Sequence, residues 1–151
     1  RVDVRVLNTL MDGRFVPVIA SLAGDDDGNI YNVNADTVAE SIAVALQAMK
    51  LIFMTGAPGM LRDRNDPSSL VTFADPDDLT SLMASGALAG GMRPKVEACI
   101  RAATSGVERT HIIDGRAPDA LLLEVFTGAG LGTMIVGRKE KATYLGVDLA
   151  G

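Results

Sequence analysis

The chain has 151 residues, a formal net charge of −5, no tryptophan and 4% aromatic residues, which suits one ordinary domain with an aliphatic core. With no Lys/Arg cluster, that acidic balance argues against a grip on a nucleic-acid backbone. The single cysteine, Cys99, and single histidine, His111, exclude an internal disulfide and argue against structural zinc, and no apolar run approaches the ~18 residues of a membrane span.

Val4, Leu7 and Met11 fall at helical spacing before Asp12-Gly13, predicting a short helix over 4–11. Phe15-Val16-Pro17-Val18-Ile19-Ala20 predicts a strand, with the proline at an edge or end and the remainder covered on both faces. Gly24-Asp25-Asp26-Asp27-Gly28 is polar and glycine-bounded, as a surface loop or hairpin tip is. A helix is expected over 36–48 with Val38, Ile42, Ala45, Leu46 and Met49 as its core stripe; Ala35, Ala39 and Ala43 allow close packing by a neighbour. Residues 50–54 read as a strand ending in the glycine loop Thr55-Gly56-Ala57-Pro58-Gly59. Helix, short strand and glycine loop is the rhythm of a parallel sheet.

A charged solvent loop at 62–69 and a short strand at 70–73 follow, and Asp75-Pro76 caps a helix that runs to Ala84. Gly86, Gly90 and Gly91 lead to a helix over 94–104 whose buried side carries Val96, Cys99, Ile100 and Ala103. Cys99 is therefore read as a small core residue and not as a nucleophile. Residues 110–114 form a strand stopped by Gly115, residues 119–126 a helix, and residues 133–136 a last strand behind Gly128, Gly130 and Gly132. The tail, with Lys139-Glu140-Lys141, reads as an extra strand or as disorder. No repeat and no linker divides the chain, and no signal-peptide pattern opens it; a single cytosolic α/β domain is expected.

Polar residues gather at two places. Asn32, Asn34 and Asp36 lie where an extended stretch hands over to a helix, which is where open α/β proteins bind ligands. Asn34 as a helix cap and Asp36 as a first-turn acid need no ligand to explain them, but Asn32 is one asparagine more than a cap requires. The second place is Gly90-Gly91-Met92-Arg93-Pro94-Lys95. Consecutive glycines before a helix present free amides to an anion, and a first-turn lysine opposes the helix dipole unless an anion is near. A loop followed by a solvent-facing lysine is the alternative. Asp36 and Lys95 together suit phosphoryl transfer, which needs fixed cations and no covalent protein intermediate, although no Walker sequence is present. His111 and Asp114, three apart in a strand, point to opposite faces, and no nucleophile is placed to complete a hydrolase triad.

Tyr31-Asn32-Val33-Asn34-Ala35-Asp36-Thr37, Gly90-Gly91-Met92-Arg93-Pro94-Lys95-Val96-Glu97-Ala98 and His111-Ile112-Ile113-Asp114-Gly115-Arg116 occur in this order. Leu121-Leu122-Leu123-Glu124-Val125-Phe126-Thr127 and Gly132-Thr133-Met134-Ile135 follow them. By these segments the chain resembles the acetylglutamate kinases of the amino acid kinase family. The resemblance implies an α/β three-layer sandwich around a largely parallel sheet, of which residues 1–151 would be the C-terminal, nucleotide-binding lobe. It also implies ATP-dependent phosphorylation of the side-chain carboxylate of N-acetyl-L-glutamate, a committed step toward arginine. Mg2+ would be carried mainly on the phosphates of ATP, with no metal held by the protein. By the same resemblance, Asn32 holds the acetylglutamate, Asn34 supports that loop, Asp36 organises the catalytic lysines, and Lys95 stabilises the transferring phosphoryl group. Thr55, Gly56 and Gly59, with Gly90, Gly91, Met92 and Lys95, match nucleotide-binding segments. His111, Glu124 and Gly130 fall where arginine-sensitive members bind that feedback inhibitor, although from the residues alone Glu124 reads as an ordinary surface acid on a helix.

Two departures qualify the resemblance. Gly56 stands where the family usually has an acid, and a lost hydrogen bond to a charged group costs about 1.5–3 kcal/mol, a decade or two in ATP affinity. The second is length. The family's N-terminal half supplies a glycine-rich phosphate turn, another catalytic lysine, the arginine that grips the substrate and usually the dimer surface, and it has no counterpart here. Arg1 opens the sequence without an initiator methionine, so an upstream segment is expected to have been removed or left out. The expectation is half an active site: an isolated chain that folds, binds nucleotide weakly and does not turn over, from an intact homo-oligomer. The alternatives are a kinase of carrier-linked aminoadipate or glutamate, a non-catalytic arginine or nucleotide sensor, and a purely structural domain. No nucleic-acid or membrane partner is expected.

Overall fold

Local sequence sets most of the helix boundaries. The computed structural model describes residues 2–86, 88, 90–127, 130–137 and 140–141. In chain order these form α1 (Val4–Asp12), β1 (Leu22–Gly24), β2 (Ile30–Asn32), α2 (Ala35–Ala45), β3 (Lys50–Thr55) and a 3-10 turn (Pro67–Ser69). Then come β4 (Phe73–Ala74), α3 (Pro76–Ala84), α4 (Met92–Thr104), β5 (Arg109–Asp114), α5 (Ala120–Phe126) and β6 (Gly132–Val136). Asn34 caps α2, its side chain accepting from the Thr37 amide at 3.1 Å. Asp75 caps α3 in a reciprocal box with Asp78, and Pro76 takes the first position, where no amide is needed. α4 begins at Met92, two residues before the expected start, because a proline inside the first turn forfeits no intrahelical bond.

The main sheet has the order β3-β5-β6-β4. β3 runs parallel to β5, pairing Lys50 with Arg109 through Thr55 with Asp114, and β4 runs parallel to β6. β5 and β6 are antiparallel, so the sheet is mixed and mostly parallel. Gly132 makes that antiparallel contact possible: a Cβ there would lie 2.1 Å from the Ile112 carbonyl oxygen. On one face, Leu51, Phe53, Ile112 and Ile135 pack with Ala43 of α2, Leu79 of α3, and Val96, Cys99 and Ala102 of α4. Each fully buried side chain such as Leu79 or Ile112 contributes roughly 1.5–3 kcal/mol. α5 covers the other face, where His111 points, and the result is the expected three layers. Burial pushes the Cys99 thiol up to about 12, in keeping with its core role.

The acidic turn is the tip of the β1–β2 hairpin, which pairs Leu22 with Asn32. The Asp25 carboxylate accepts from the Asn29 side chain, the Tyr31 hydroxyl and the amides of Asn29 and Asp27, which hold its pKa at about 2.

Several expectations give way. Residues 15–20 form no strand: no described strand lies alongside, and Val16 and Val18 are 87% and 96% exposed. An apolar extended sequence becomes a strand only where a neighbour takes its backbone bonds. The stripe expected to be the core of α2 is half-buried at Val38 and Ile42 and exposed at Ala45 and Met49, while Ala43 is the buried residue. Ala39 and Ala43 turn toward the core while Ala35 stays exposed, and the helix ends at Ala45, before Gln47 takes a φ of 50°. Leu70 forms an isolated bridge with Leu61 and the strand proper begins at Phe73. Lys141 reaches back to Asp75, Nζ to Oδ2 at 2.9 Å, and to Asp78. Gly128, Lys139 and residues 142–151 lie outside the described residues. Among those described, no helix is long and apolar enough to cross a membrane.

Candidate active site

The site begins where β3 ends. The Thr55 hydroxyl donates to the Ala57 carbonyl and accepts from the Ala57 amide, both at 3.0 Å, and so closes the turn after the strand. Further along, the Met60 amide donates to the buried Thr133 hydroxyl at 2.8 Å, which pins the loop to β6. Gly59 is demanded by this packing. Its φ is 147°, and a Cβ would lie 2.8 Å from Thr133 Oγ1 and 2.9 Å from Leu70 Cδ1. A Cβ on Gly56, by contrast, would meet nothing within 4 Å.

The neighbouring wall comes from two helices. Lys95 of α4 donates to both carboxylate oxygens of Asp36 on α2 at 2.8 Å, and Arg101 pairs with Glu40 at 2.8 Å further along. Both pairs ascend their helices in the same order, so α2 and α4 run in the same direction and their N-termini lie together. Parallel dipoles side by side repel, and the Asp36 carboxylate between the two positive ends relieves that repulsion. It also offsets the cost of a lysine in the first turn. The Lys95 ammonium stands 5.9 Å from the centroid of the Phe53 ring, and the pair is mostly shielded, with side-chain exposures of 24% and 17%. Gly91 begins α4 without a side-chain cap, which leaves first-turn amides free for an anion.

A cavity of 330 Å³ opens between these parts. The loop contributes Thr55, Gly56, Ala57 and Gly59; the next segment adds Leu61 and Arg64; Leu88, Gly91, Met92 and Lys95 close the far side. The wall is apolar at Leu61, Leu88 and Met92, cationic at Arg64 and Lys95, and contains no carboxylate.

Of the residues singled out from sequence, Thr55, Gly56, Gly59, Gly91, Met92 and Lys95 share this cavity, with Asp36 held to it through Lys95. Gly90, with a φ of 61°, precedes the wall without lining it. Asn34 serves as the cap of α2, and Asn32 sits exposed at the end of β2, four residues before Asp36; neither lines the cavity. Sequence reasoning missed Leu61, Arg64 and Leu88. Its only signal for Arg64 was a cation soon after the glycine loop, within a stretch that reads as solvent-facing.

His111 and Glu124 meet on the other face of the sheet, and the residue after Gly130 joins them. His111 Nδ1 lies 2.6 Å from Glu124 Oε1, and the Leu131 amide, next to Gly130, donates to Glu124 Oε2 at 2.9 Å. Burial, opposed by the nearby Glu124 carboxylate, holds the His111 pKa below its ordinary value. The neutral ring then donates from Nδ1–H, and the buried Nε2 has no hydrogen-bond partner among the described residues. Asp114 bonds Arg116 instead, which agrees with the expected separation of His111 from Asp114.

Residues 1–114 match the amino acid kinase family. The chain belongs to that family. This amino acid kinase family member is 55% identical over 139 residues to the acetylglutamate kinase of Synechococcus sp. (strain CC9605), covering 91% of the chain and 47% of that protein. It is 56% identical over 138 residues to that of Prochlorococcus marinus (strain MIT 9303), covering 91% and 45%. The chain thus spans about half the length of the curated relatives it matches. Among solved structures it is similar to N-acetylglutamate synthase from Neisseria gonorrhoeae complexed with coenzyme A and L-arginine, with a TM-score of 0.82 and 28% identity over 90% of the chain and 31% of that protein. Carbamate kinase from Giardia lamblia bound to AMP-PNP shares the fold, with a TM-score of 0.66 and 22% identity over 87% of the chain and 43% of that protein.

Proposed function

We propose that this chain is the nucleotide-binding half of a kinase that phosphorylates the side-chain carboxylate of N-acetyl-L-glutamate. The observation that carries this reading is the Lys95–Asp36 pair at the meeting of two helix N-termini, beside a cavity with no acid in its wall. The relatives named acetylglutamate kinase support the choice of acceptor. Leu61, Leu88 and Met92 offer an apolar wall to a base, while Lys95 and the free amides at the start of α4 suit phosphates. ATP supplies the phosphoryl group when bound. Mg2+ would arrive on its phosphates, as it does where substrate phosphates supply most of its ligands.

In this mechanism Lys95 neutralises charge on the phosphoryl group as it moves. Asp36 is a positioning residue: it fixes Lys95 through two bonds and need not touch the nucleotide. Asn32 offers its amide to the acceptor from the end of β2, and Asn34 holds the turn between Asn32 and Asp36. Thr55, Gly56, Gly59, Gly90, Gly91 and Met92 form the nucleotide segments. The grip on the acceptor carboxylate, a second cation and the homo-oligomer contact belong to the half of the relatives' length that this chain does not span. A coupled ADP-release assay with N-acetyl-L-glutamate tests the reading. A longer protein carrying this sequence should turn over, and the 151-residue chain alone should not. Preference for a carrier-linked aminoadipate or glutamate acceptor would replace the substrate assignment, and turnover by the chain alone at the longer protein's rate would refute the division of labour.

A second reading concerns regulation. His111, Glu124 and Gly130 form the proposed arginine effector site, supported by the unpartnered Nε2 of His111 and by the likeness to a synthase crystallised with L-arginine. An acceptor nitrogen beside a carboxylate suits a guanidinium or ammonium. Titration with arginine should then show binding that Glu124→Ala removes; no binding by the unsubstituted protein would dismiss the site.

A further inference from the structure

Arg64 is the uncompensated charge of the cavity. Lys95 brings its own counter-ion in Asp36, so that pair contributes no net charge to the wall. Arg64 also lines the cavity but makes no ion pair and no hydrogen bond among the described residues. Its acidic neighbours are engaged elsewhere. Asp63 Oδ1 accepts from the Asn65 amide at 2.9 Å, and Asp66 Oδ1 accepts from the Ser68 amide and hydroxyl at 2.9 and 2.6 Å. The Ser69 hydroxyl, donating toward the Asp63 and Asp66 carbonyls, and the Leu61–Leu70 bridge close the loop into a hairpin with Arg64 near its tip. A free guanidinium therefore stands on a braced loop opposite Lys95, in a chain whose formal charge is −5.

Resting on the nucleotide reading above, we propose that Arg64 is an affinity residue for the anionic part of the nucleotide, its guanidinium clasping the phosphate chain from the loop side while Lys95 engages it from α4. The planar fork matches phosphate oxygens in pairs, which a flexible surface lysine would not do as well. Stacking of the guanidinium on the base is the competing use of the same group, and it predicts a different ligand dependence.

Calorimetric titration of the 151-residue chain with Mg-ATP, and separately with adenosine, distinguishes these uses. Arg64→Gln should weaken ATP binding ~10-fold or more, as loss of a charge-assisted bond does, and leave adenosine affinity and the thermal midpoint unchanged. Arg64→Lys should recover part of the loss. Unchanged ATP affinity in Arg64→Gln, or an equal loss for adenosine, overturns the proposal. Lys95→Met separates the two levels: if it weakens ATP while Arg64→Gln does not, the nucleotide reading stands and the role of Arg64 falls. A wild-type chain that binds no ATP overturns both.

Discussion

Replacing Asp36 by Asn keeps the side chain's size and removes its charge, leaving Lys95 in the positive field of two helix N-termini with no carboxylate partner among the described residues and the Phe53 ring 5.9 Å away. Hydrogen bonds to charged groups contribute about 1.5–3 kcal/mol. The pair is bidentate at 2.8 Å and retains 24% and 17% side-chain exposure, so solvent screening draws the value toward the middle of that range. A loss of ~2 kcal/mol lowers the thermal midpoint of a domain of this size by roughly 4–8 °C. The effect on function has the opposite sense for binding and for chemistry. A lysine freed of its counter-ion attracts phosphates at least as well as before, so ATP affinity of the chain should hold or rise. Turnover in a longer protein carrying this sequence should fall ~100-fold, because a misaimed cation no longer meets the charge that develops in transfer. Thermal melting and ATP calorimetry on the chain, with kcat and KM on the longer protein, measure each part. An unchanged midpoint and kcat would show the pair to be incidental. Loss of ATP binding would show that Asp36 touches the nucleotide itself, and the positioning role would be refuted.

Thr133→Val is nearly isosteric but strands the buried Met60 amide, so urea unfolding should report a loss of about 1–3 kcal/mol. A change below the error of the fit would mean that the loop between Gly59 and Leu61 is not held by β6. His111 gives a pH prediction undisturbed by other imidazoles, because it is the single histidine. Its folded pKa lies below the ordinary 6.5, so the unfolded chain takes up the proton first as pH falls. The contribution to stability is complete above pH 6.5 and declines below it, with a slope approaching ~1.4 kcal/mol per pH unit until the folded ring also titrates. His111→Asn, which keeps a donor for Glu124, should flatten stability between that depressed pKa and pH 6.5; parallel profiles for the two proteins would contradict the burial argument.

The parts legible in sequence were those fixed by neighbours along the chain. Asp75-Pro76 announced the α3 cap, Asn34 the α2 cap, and the glycine-bounded acids the hairpin tip, because each rests on bonds within a few residues. Patterns that depend on a distant partner were less secure. Residues 15–20 and the Val38–Ile42 side of α2 are apolar enough for a core, yet Val16 and Val18 are exposed, and Ile19, Val38 and Ile42 border a 790 Å³ groove between α1, the hairpin and α2. An apolar pattern reports what a residue can bury, not what is present to bury it. The antiparallel turn of β6 against β5 was hidden for a related reason: the reversal is permitted by one close approach, Gly132 to Ile112, that no periodicity encodes. At the site, Asp36 and Lys95 were joined first by the chemistry of phosphoryl transfer and then by resemblance, and the geometry supplies the physical reason. Arg64 escaped notice because its role depends on what its acidic neighbours do not bind.

The site also shows how an acidic chain can present a locally positive surface without a cluster of basic residues. Two parallel helices bring roughly half a unit of positive partial charge each to one place. A full carboxylate there would overbalance that field, but Asp36 is matched by Lys95, and the pair leaves the backbone contribution standing. The remaining lining charge, Arg64, faces the cavity from a separate element. The attraction for an anion is thus divided between a fixed backbone field, the Asp36-paired Lys95 and the unpaired Arg64, and these respond differently to salt. Helix amides at the cavity wall act at contact range and are little screened, whereas the exposed guanidinium acts partly through water and weakens as ionic strength rises. Salt should therefore reduce ATP affinity less steeply in Arg64→Gln than in the wild-type chain, and equal salt slopes for the two proteins would refute the contribution of the guanidinium.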